Sequence, residues 1–150
     1  RYEARLMAVY AGMVDRMDWN IGRLLDHLDA IGELERTVFV FLSDNGPDAV
    51  AFERDAPRFG PATDWVAANF DNSLERLGDP SSYPFYGLPW ATVSAAPHRL
   101  HKTVVTEGGT RVPLVIAGQG VTRRGHLSHE LAGVLDVLPT LLELTGVEPW

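Results

Sequence analysis

Apolar residues recur at Tyr2, Leu6, Val9, Met13, Met17, Ile21, Leu24, Leu28 and Ile31, in alternating steps of three and four. That spacing predicts one long amphipathic helix with a single apolar face. Glu3, Arg5, Asp15, Arg16, Asp18, Arg23, Asp26 and Asp29 fall between these positions and form the solvated face, with ion pairing at helical spacing. Met13 and Met17 read as core filler and His27 as a surface residue. Gly32 stands where the helix should end, and residues 33–36 are a short connection.

Residues 37–42 then make an apolar, β-branched and aromatic run that stops abruptly at Ser43-Asp44-Asn45-Gly46. Such a run predicts a buried strand of a parallel sheet, covered on both faces. Helix, short loop and buried strand are the rhythm of an α/β domain. Between residues 47 and 103 the rhythm breaks. Seven of the ten prolines and eight of the fourteen aromatics fall there, including Phe52, Phe59, Trp65, Tyr83 and Trp90. A disordered linker lacks such packing material, so this is a loop-rich insertion, either a pocket wall or a cover over the sheet edge. A short helix is expected over residues 63–77. Beyond the insertion, Leu114-Val115-Ile116-Ala117 predicts a second strand, residues 127–129 a short extended piece, and residues 134–144 a helix. Pro139 is expected near that helix's first turn and Gly146 at its end.

At 150 residues the chain is about one domain, with enough apolar content to bury a core. Its net charge of −7 disfavours nucleic acid as a partner and leaves no polybasic case for membrane binding. No apolar run is long enough to span a membrane. Because there is no cysteine, disulfides, thiolate metal sites and a cysteine nucleophile are excluded from these residues. The first residue is Arg rather than Met, so a piece of a longer protein is expected.

Two places carry candidate chemistry. Asp44 offers a carboxylate and Asn45 an amide carbonyl, and Gly46 lets the backbone turn so that both oxygens can face one point. An all-oxygen pair suits calcium or magnesium; a plain turn explains the same three residues. Of thirteen basic side chains only Lys102 is a lysine. A lone lysine among arginines marks a place for a compact point charge, or chance retention. It closes His98-Arg99-Leu100-His101-Lys102, the concentrated positive patch of an acidic chain. That patch is either an anion site, using Lys102 and a histidine, or a solvated basic loop. The adjacent Gly108 and Gly109 match no phosphate-loop pattern and read as a structural turn, and His126 and His129 as loop-shaping residues.

In order and separation, these marks resemble the C-terminal half of the catalytic domain of type I sulfatases. The closest likeness is to bacterial arylsulfatases, within the alkaline-phosphatase-like superfamily. The marks are the helix ending Asp26-His27-Leu28-Asp29-Ala30-Ile31-Gly32, the Ser43-Asp44-Asn45-Gly46 turn, Asp71-Asn72-Ser73-Leu74-Glu75, Ser82-Tyr83 ahead of Tyr86-Gly87, Lys102, Thr106-Glu107-Gly108-Gly109 with Arg111-Val112-Pro113, Ser128-His129, and Asp136-Val137-Leu138-Pro139-Thr140-Leu141-Leu142. The resemblance implies that residues 1–150 are part of an α/β sandwich, with a mixed, largely parallel sheet covered by helices and interrupted by the insertion at 47–103. It implies that Asp44 and Asn45 are calcium ligands and that Lys102 is a catalytic residue binding the sulfate group. It also implies hydrolysis of sulfate monoesters by a formylglycine nucleophile, made from Cys or Ser in a Cys/Ser-x-Pro-x-Arg motif. That motif and the upstream Asp pair of the metal site are absent from these residues. The expected partners are therefore a small sulfate ester and the missing N-terminal half of the same enzyme. A phosphodiesterase or phosphonate monoester hydrolase of the same superfamily is the alternative enzyme, and a non-catalytic metal-binding remnant the alternative outside enzymology.

Overall fold

The computed structural model describes residues 1–50 and 56–148, without the side chains of residues 56–59. Phe52 lies outside the described residues, as does the side chain of Phe59. The chain forms two compact units, one of Arg1–Asn20 with Asp44–Val112 and one of Ile21–Ser43 with Pro113–Trp150.

Helix α1 runs Tyr2–Ala30, as its spacing predicts. The Gly32 amide donates to the Asp29 carbonyl and the Glu33 amide to that of Leu28, with Gly32 at φ +74°. This paired closure needs a left-handed residue, which glycine adopts without strain. In the first unit the opening turns of α1 act as a clamp. Leu6 is buried, the Arg5 guanidinium donates twice to the Leu77 carbonyl (3.2 and 3.0 Å), and the Tyr2 hydroxyl donates to the Asn72 carbonyl at 3.0 Å. Met13 and Met17 depart from expectation, being 64% and 43% exposed. Periodicity marks the face able to bury and does not say how far along the helix a neighbour covers it.

The insertion contains two helices. Helix α2 spans Ala56–Asn69 and breaks at Gly60 (φ +29°), so that Pro61 begins its second half, where a missing amide is tolerated. The helix expected over residues 63–77 therefore stops earlier. Asp71 Oδ1 takes the Ser73 amide at 2.9 Å, and Asn72 bonds the Tyr83 backbone through both ends of its amide group. These short polar side chains offer the backbone an alternative to the helix. Accepting the Ser73 amide also holds the Asp71 carboxyl below its ordinary value, with the Ser73 hydroxyl acting in the same sense. Helix α3, Gly87–Ala95, has no counterpart in the sequence reading. It buries Ala91 and Ala95, one turn apart, and the neighbouring Trp90 indole donates to the Glu3 carbonyl at 2.8 Å. Leu77, with no exposed surface, is the centre of this unit.

In the second unit, β1 (Val38–Leu42) pairs with β2 (Leu114–Gly118) in register from Val38 opposite Gly118 to Leu42 opposite Leu114. The pairing is antiparallel, and Phe41, Leu114 and Val115 are exposed, where a doubly covered parallel strand is expected. An apolar run records what a strand is able to bury; the direction of its neighbour is set by where the chain returns. Helix α5, Val134–Thr145, opens with the Asp136 carboxylate accepting the Gly133 amide at 2.7 Å. It closes on left-handed Gly146, whose amide reaches the Glu143 carbonyl while that of Val147 reaches Leu142. Pro139 sits inside the second turn rather than the first, and the exposed Leu135 end loses one ladder bond to it. Residues 127–129 take part in no strand pairing among the described residues.

Since Leu77 is fully buried and its carbonyl is already bonded, replacing it removes packing alone. Leu77→Ala is expected to destabilise the complete protein by about 3 kcal/mol, read as a lower denaturation midpoint; a shift within about 0.5 kcal/mol would place Leu77 outside the core.

Candidate metal and anion site

Strand β1 delivers the chain into Ser43-Asp44-Asn45-Gly46, and from Asp44 onward the chain belongs to the first unit. The turn is fixed from both sides. Asn45 Nδ2 donates to the Gly46 carbonyl at 2.9 Å, and the Gly46 amide donates to the Gly109 carbonyl at 2.9 Å. A Cβ at Gly46 would run into the carbonyl of Gly108, so glycine is required by contact and not merely by turn geometry. Asp44 is exposed, and no side chain pairs with its carboxylate among the described residues.

One residue on, the Pro47 carbonyl accepts the Lys102 amide at 3.0 Å. The turn and the lysine loop are thus stitched by two backbone hydrogen bonds. Residues 98–110 form a tight knot. Gly108 donates to the Arg99 carbonyl, the Thr106 hydroxyl donates to the same oxygen at 2.9 Å, and Leu100 and Thr103 are held at φ +64° and +77°. Non-glycine residues avoid that region, so the surrounding bonds impose it. Gly108 and Gly109 are buried, and a Cβ on either would strike the carbonyls of Leu100 and Arg99 or of Val104. The expected turn is here the short helix α4, Glu107–Thr110.

At the tip of the knot Lys102 Nζ lies 3.3 Å from Asp48 Oδ2, while Asp48 Oδ1 accepts the Val50 amide at 2.9 Å. The two histidines are used differently from the expectation that one helps hold an anion. His98 Nδ1 meets Glu107 Oε2 at 3.1 Å, Glu107 Oε1 meets Arg111 at 3.4 Å, and His101 Nδ1 donates to the Lys102 carbonyl at 2.9 Å. They brace the loop. His126 and His129 belong to the other unit.

Beside this, Tyr10 stacks on Tyr86 with centroids 4.9 Å apart, and Phe70, Tyr83 and Phe85 continue as edge and tilted contacts. Tyr10, Tyr83, Phe85 and Tyr86, with Leu6, Val9 and Met13, line a cavity of about 420 Å³, part of whose wall comes from residues 78–86 of the insertion. Burial is the main cause that pushes the Tyr86 phenol above its ordinary value; the Ser94 hydrogen bond opposes it, and the charge of Asp48 adds to it. Sequence reading missed Asp48, and it named Glu107 and Tyr86 only as marks of the resemblance, without the contacts they make. The available signal was that a lone lysine near buried backbone needs an acid, and Asp48 is the first acid beyond the glycine turn.

As a metal site the donors fit a hard cation in kind but not in number. Among the described residues no three His, Asp or Glu side chains gather. Asp44 and Asn45 supply two oxygens, where calcium takes six to eight.

The sulfatase family model matches residues 1–147. An uncharacterized sulfatase of Schizosaccharomyces pombe is 44% identical over 146 residues, covering 97% of this chain and 26% of that protein. An arylsulfatase of Klebsiella aerogenes is 39% identical over 152 residues, 99% of this chain and 31% of that protein. A multifunctional alkaline phosphatase superfamily protein of Trinickia caryophylli is 26% identical over 145 residues, 96% of this chain and 20% of that protein. The chain thus spans about a quarter to a third of the two nearer of these relatives. With the match running almost end to end, across both the acidic turn and the lysine loop bonded to it, the chain belongs to the sulfatase family.

Proposed function

We propose that this chain is part of a hydrolase of sulfate monoesters, aryl esters foremost, and that it contributes one side of the reaction centre. The observation that carries this reading is the stitching of the Asp44-Asn45 turn to the Lys102 loop by Gly46 to Gly109 and Lys102 to Pro47. Two oxygen donors and a single point charge are thereby anchored to one backbone crossing. Asp44 and Asn45 would hold calcium, completed by oxygens from outside the described residues. When bound, that ion supplies positive charge to oxygens of the sulfuryl group. The nucleophile, a formylglycine in this reading, lies outside these residues.

What the chain's own residues do follows from charge and geometry. A sulfate ester presents oxygens bearing spread negative charge, and its transfer gains most from cations fixed beforehand. Lys102 suits that task because its ammonium is compact and its main chain is tied to Pro47, which fixes where the side chain starts. Asp44 and Asn45 act earlier, by assembling the cation site. The two roles are separable by measurement.

A second reading, hydrolysis of phosphodiesters or phosphonate monoesters, is favoured by the similarity to the multifunctional alkaline phosphatase superfamily protein. Such substrates also present a tetrahedral centre whose non-bridging oxygens share one negative charge, and they ask for similar cations.

In the complete protein, Asp44→Ala is expected to weaken calcium binding and to lower turnover of 4-nitrophenyl sulfate together. Unchanged calcium affinity by calorimetry would refute the ligand assignment. Lys102→Ala is expected to lower kcat/KM by about 100-fold while leaving calcium affinity intact, and retention of activity would remove Lys102 from the site. On the wild-type protein, kcat/KM for 4-nitrophenyl sulfate should exceed that for bis(4-nitrophenyl) phosphate. The reverse order selects the second reading.

A further inference from the structure

Every lysine needs something to hold it if it is to act as a fixed charge. Its long side chain has many rotamers to lose, so an unheld ammonium reaches a reacting group only at a cost in rate. Here the main chain of Lys102 is fixed by Pro47, and its Nζ lies 3.3 Å from the carboxylate of the next residue, Asp48. The carboxylate is itself oriented. Oδ1 is occupied by the Val50 amide at 2.9 Å, which turns Oδ2 toward the lysine. Glu107, the acid within the loop itself, is committed, engaging His98 with one oxygen and Arg111 with the other. The loop backbone is held in left-handed conformations at Leu100 and Thr103, on either side of Lys102.

We infer that Asp48 is the positioning residue for Lys102: two consecutive residues, Pro47 and Asp48, grip the lysine at its backbone and at its ammonium, and hold it extended for an incoming sulfuryl group. The inference rests on the role given to Lys102 above and extends it to a residue with no assigned function. The strength of the pair is suited to the task. Both side chains are about two-fifths exposed, and a pair so exposed is weak, biasing an equilibrium by about fivefold at most. That is enough to bias the rotamer and too little to keep an anion from taking the ammonium over. The carboxylate also repels an approaching anion. Its removal therefore costs orientation while relieving repulsion, so the loss should fall on kcat rather than on KM.

The test uses the complete protein. Asp48→Asn keeps the volume and the oxygen that accepts the Val50 amide, and removes only the charge. Asp48→Glu restores the charge. Lys102 is followed by brief acetylation with an N-hydroxysuccinimide ester, digestion with trypsin and mass spectrometry, because the acetylated peptide over residues 100–111 holds a single lysine. In Asp48→Asn the acetylation rate of Lys102 is expected to rise about threefold as the pair opens. With 4-nitrophenyl sulfate, kcat is expected to fall about threefold with KM within about 1.5-fold, and Asp48→Glu to recover most of kcat, all at an unchanged melting temperature. Equal acetylation rates in wild type and Asp48→Asn would show that the pair does not exist in solution and would overturn the inference whatever the activity. Faster acetylation with kcat unchanged would overturn it as well, since the pair would then serve no step. Lys102→Ala run alongside keeps the two claims apart. If it abolishes turnover while Asp48→Asn does not, only the positioning role fails; if it leaves turnover intact, the role given to Lys102 fails first and Asp48 has nothing to position.

Discussion

Gly46 lies against the backbone of Gly108 and Gly109 with no room for a side chain on any of the three. That contact is the constraint on which the candidate site depends. A single added carbon at Gly46 meets a carbonyl oxygen, and the hydrogen bond from Gly46 to Gly109 exists only because the strands of backbone come this close. Separate the two passages by one methyl group and the Pro47 to Lys102 bond, one residue further along, loses its register. The acidic turn and the lysine would then belong to two unrelated loops. Glycines here act less as flexible joints than as the absence of a spacer.

What was legible in the residues followed from local physics. The end of α1 at Gly32, the close of α5 at Gly146 and the bounds of both strands were visible, because each depends on the conformation or spacing of neighbours in sequence. The direction of the β1–β2 pair was not. Val38, Phe39 and Val40 carry the same apolar signal whichever way the partner runs. Helix α2 was misplaced because the apolar spacing past Asn69 continues while Asp71 and Asn72 turn the backbone with their side chains, a competition decided by hydrogen bonds rather than by pattern. Helix α3 escaped notice because Ala91 and Ala95 bury a narrow stripe of small residues that no hydrophobic periodicity announces.

The site divides the same way. Asp44, Asn45 and Lys102 stood out by their chemistry, and the family resemblance joined them. The structure adds the backbone bonds that make the joining physical, and it reassigns the basic patch. Of its two histidines, one is spent on Glu107 and the other on the carbonyl of Lys102 itself, leaving Lys102 and Arg99 as the cationic side chains of the stretch. Asp48 was hidden because an acid after a glycine–proline step reads as ordinary turn chemistry. Its meaning comes from a residue far along the chain.

The proposed function asks an acidic chain to bind an anion, an apparent contradiction that distance resolves. Salt screens exposed charges beyond about 8–10 Å, so the net charge of −7 governs encounter only weakly, while binding is decided by the charges within one such length. Within that length a negative neighbour for a lysine that is to bind an anion is useful provided the pair is weak. A bare ammonium would spread over many rotamers and over solvent; a deeply buried pair would resist any newcomer, because breaking it strands a charge. A half-exposed pair lies between these limits. Under the proposed roles, Asp48 would hold Lys102 in one direction and still yield it when a sulfuryl oxygen arrives, the carboxylate turning to water that is already at hand.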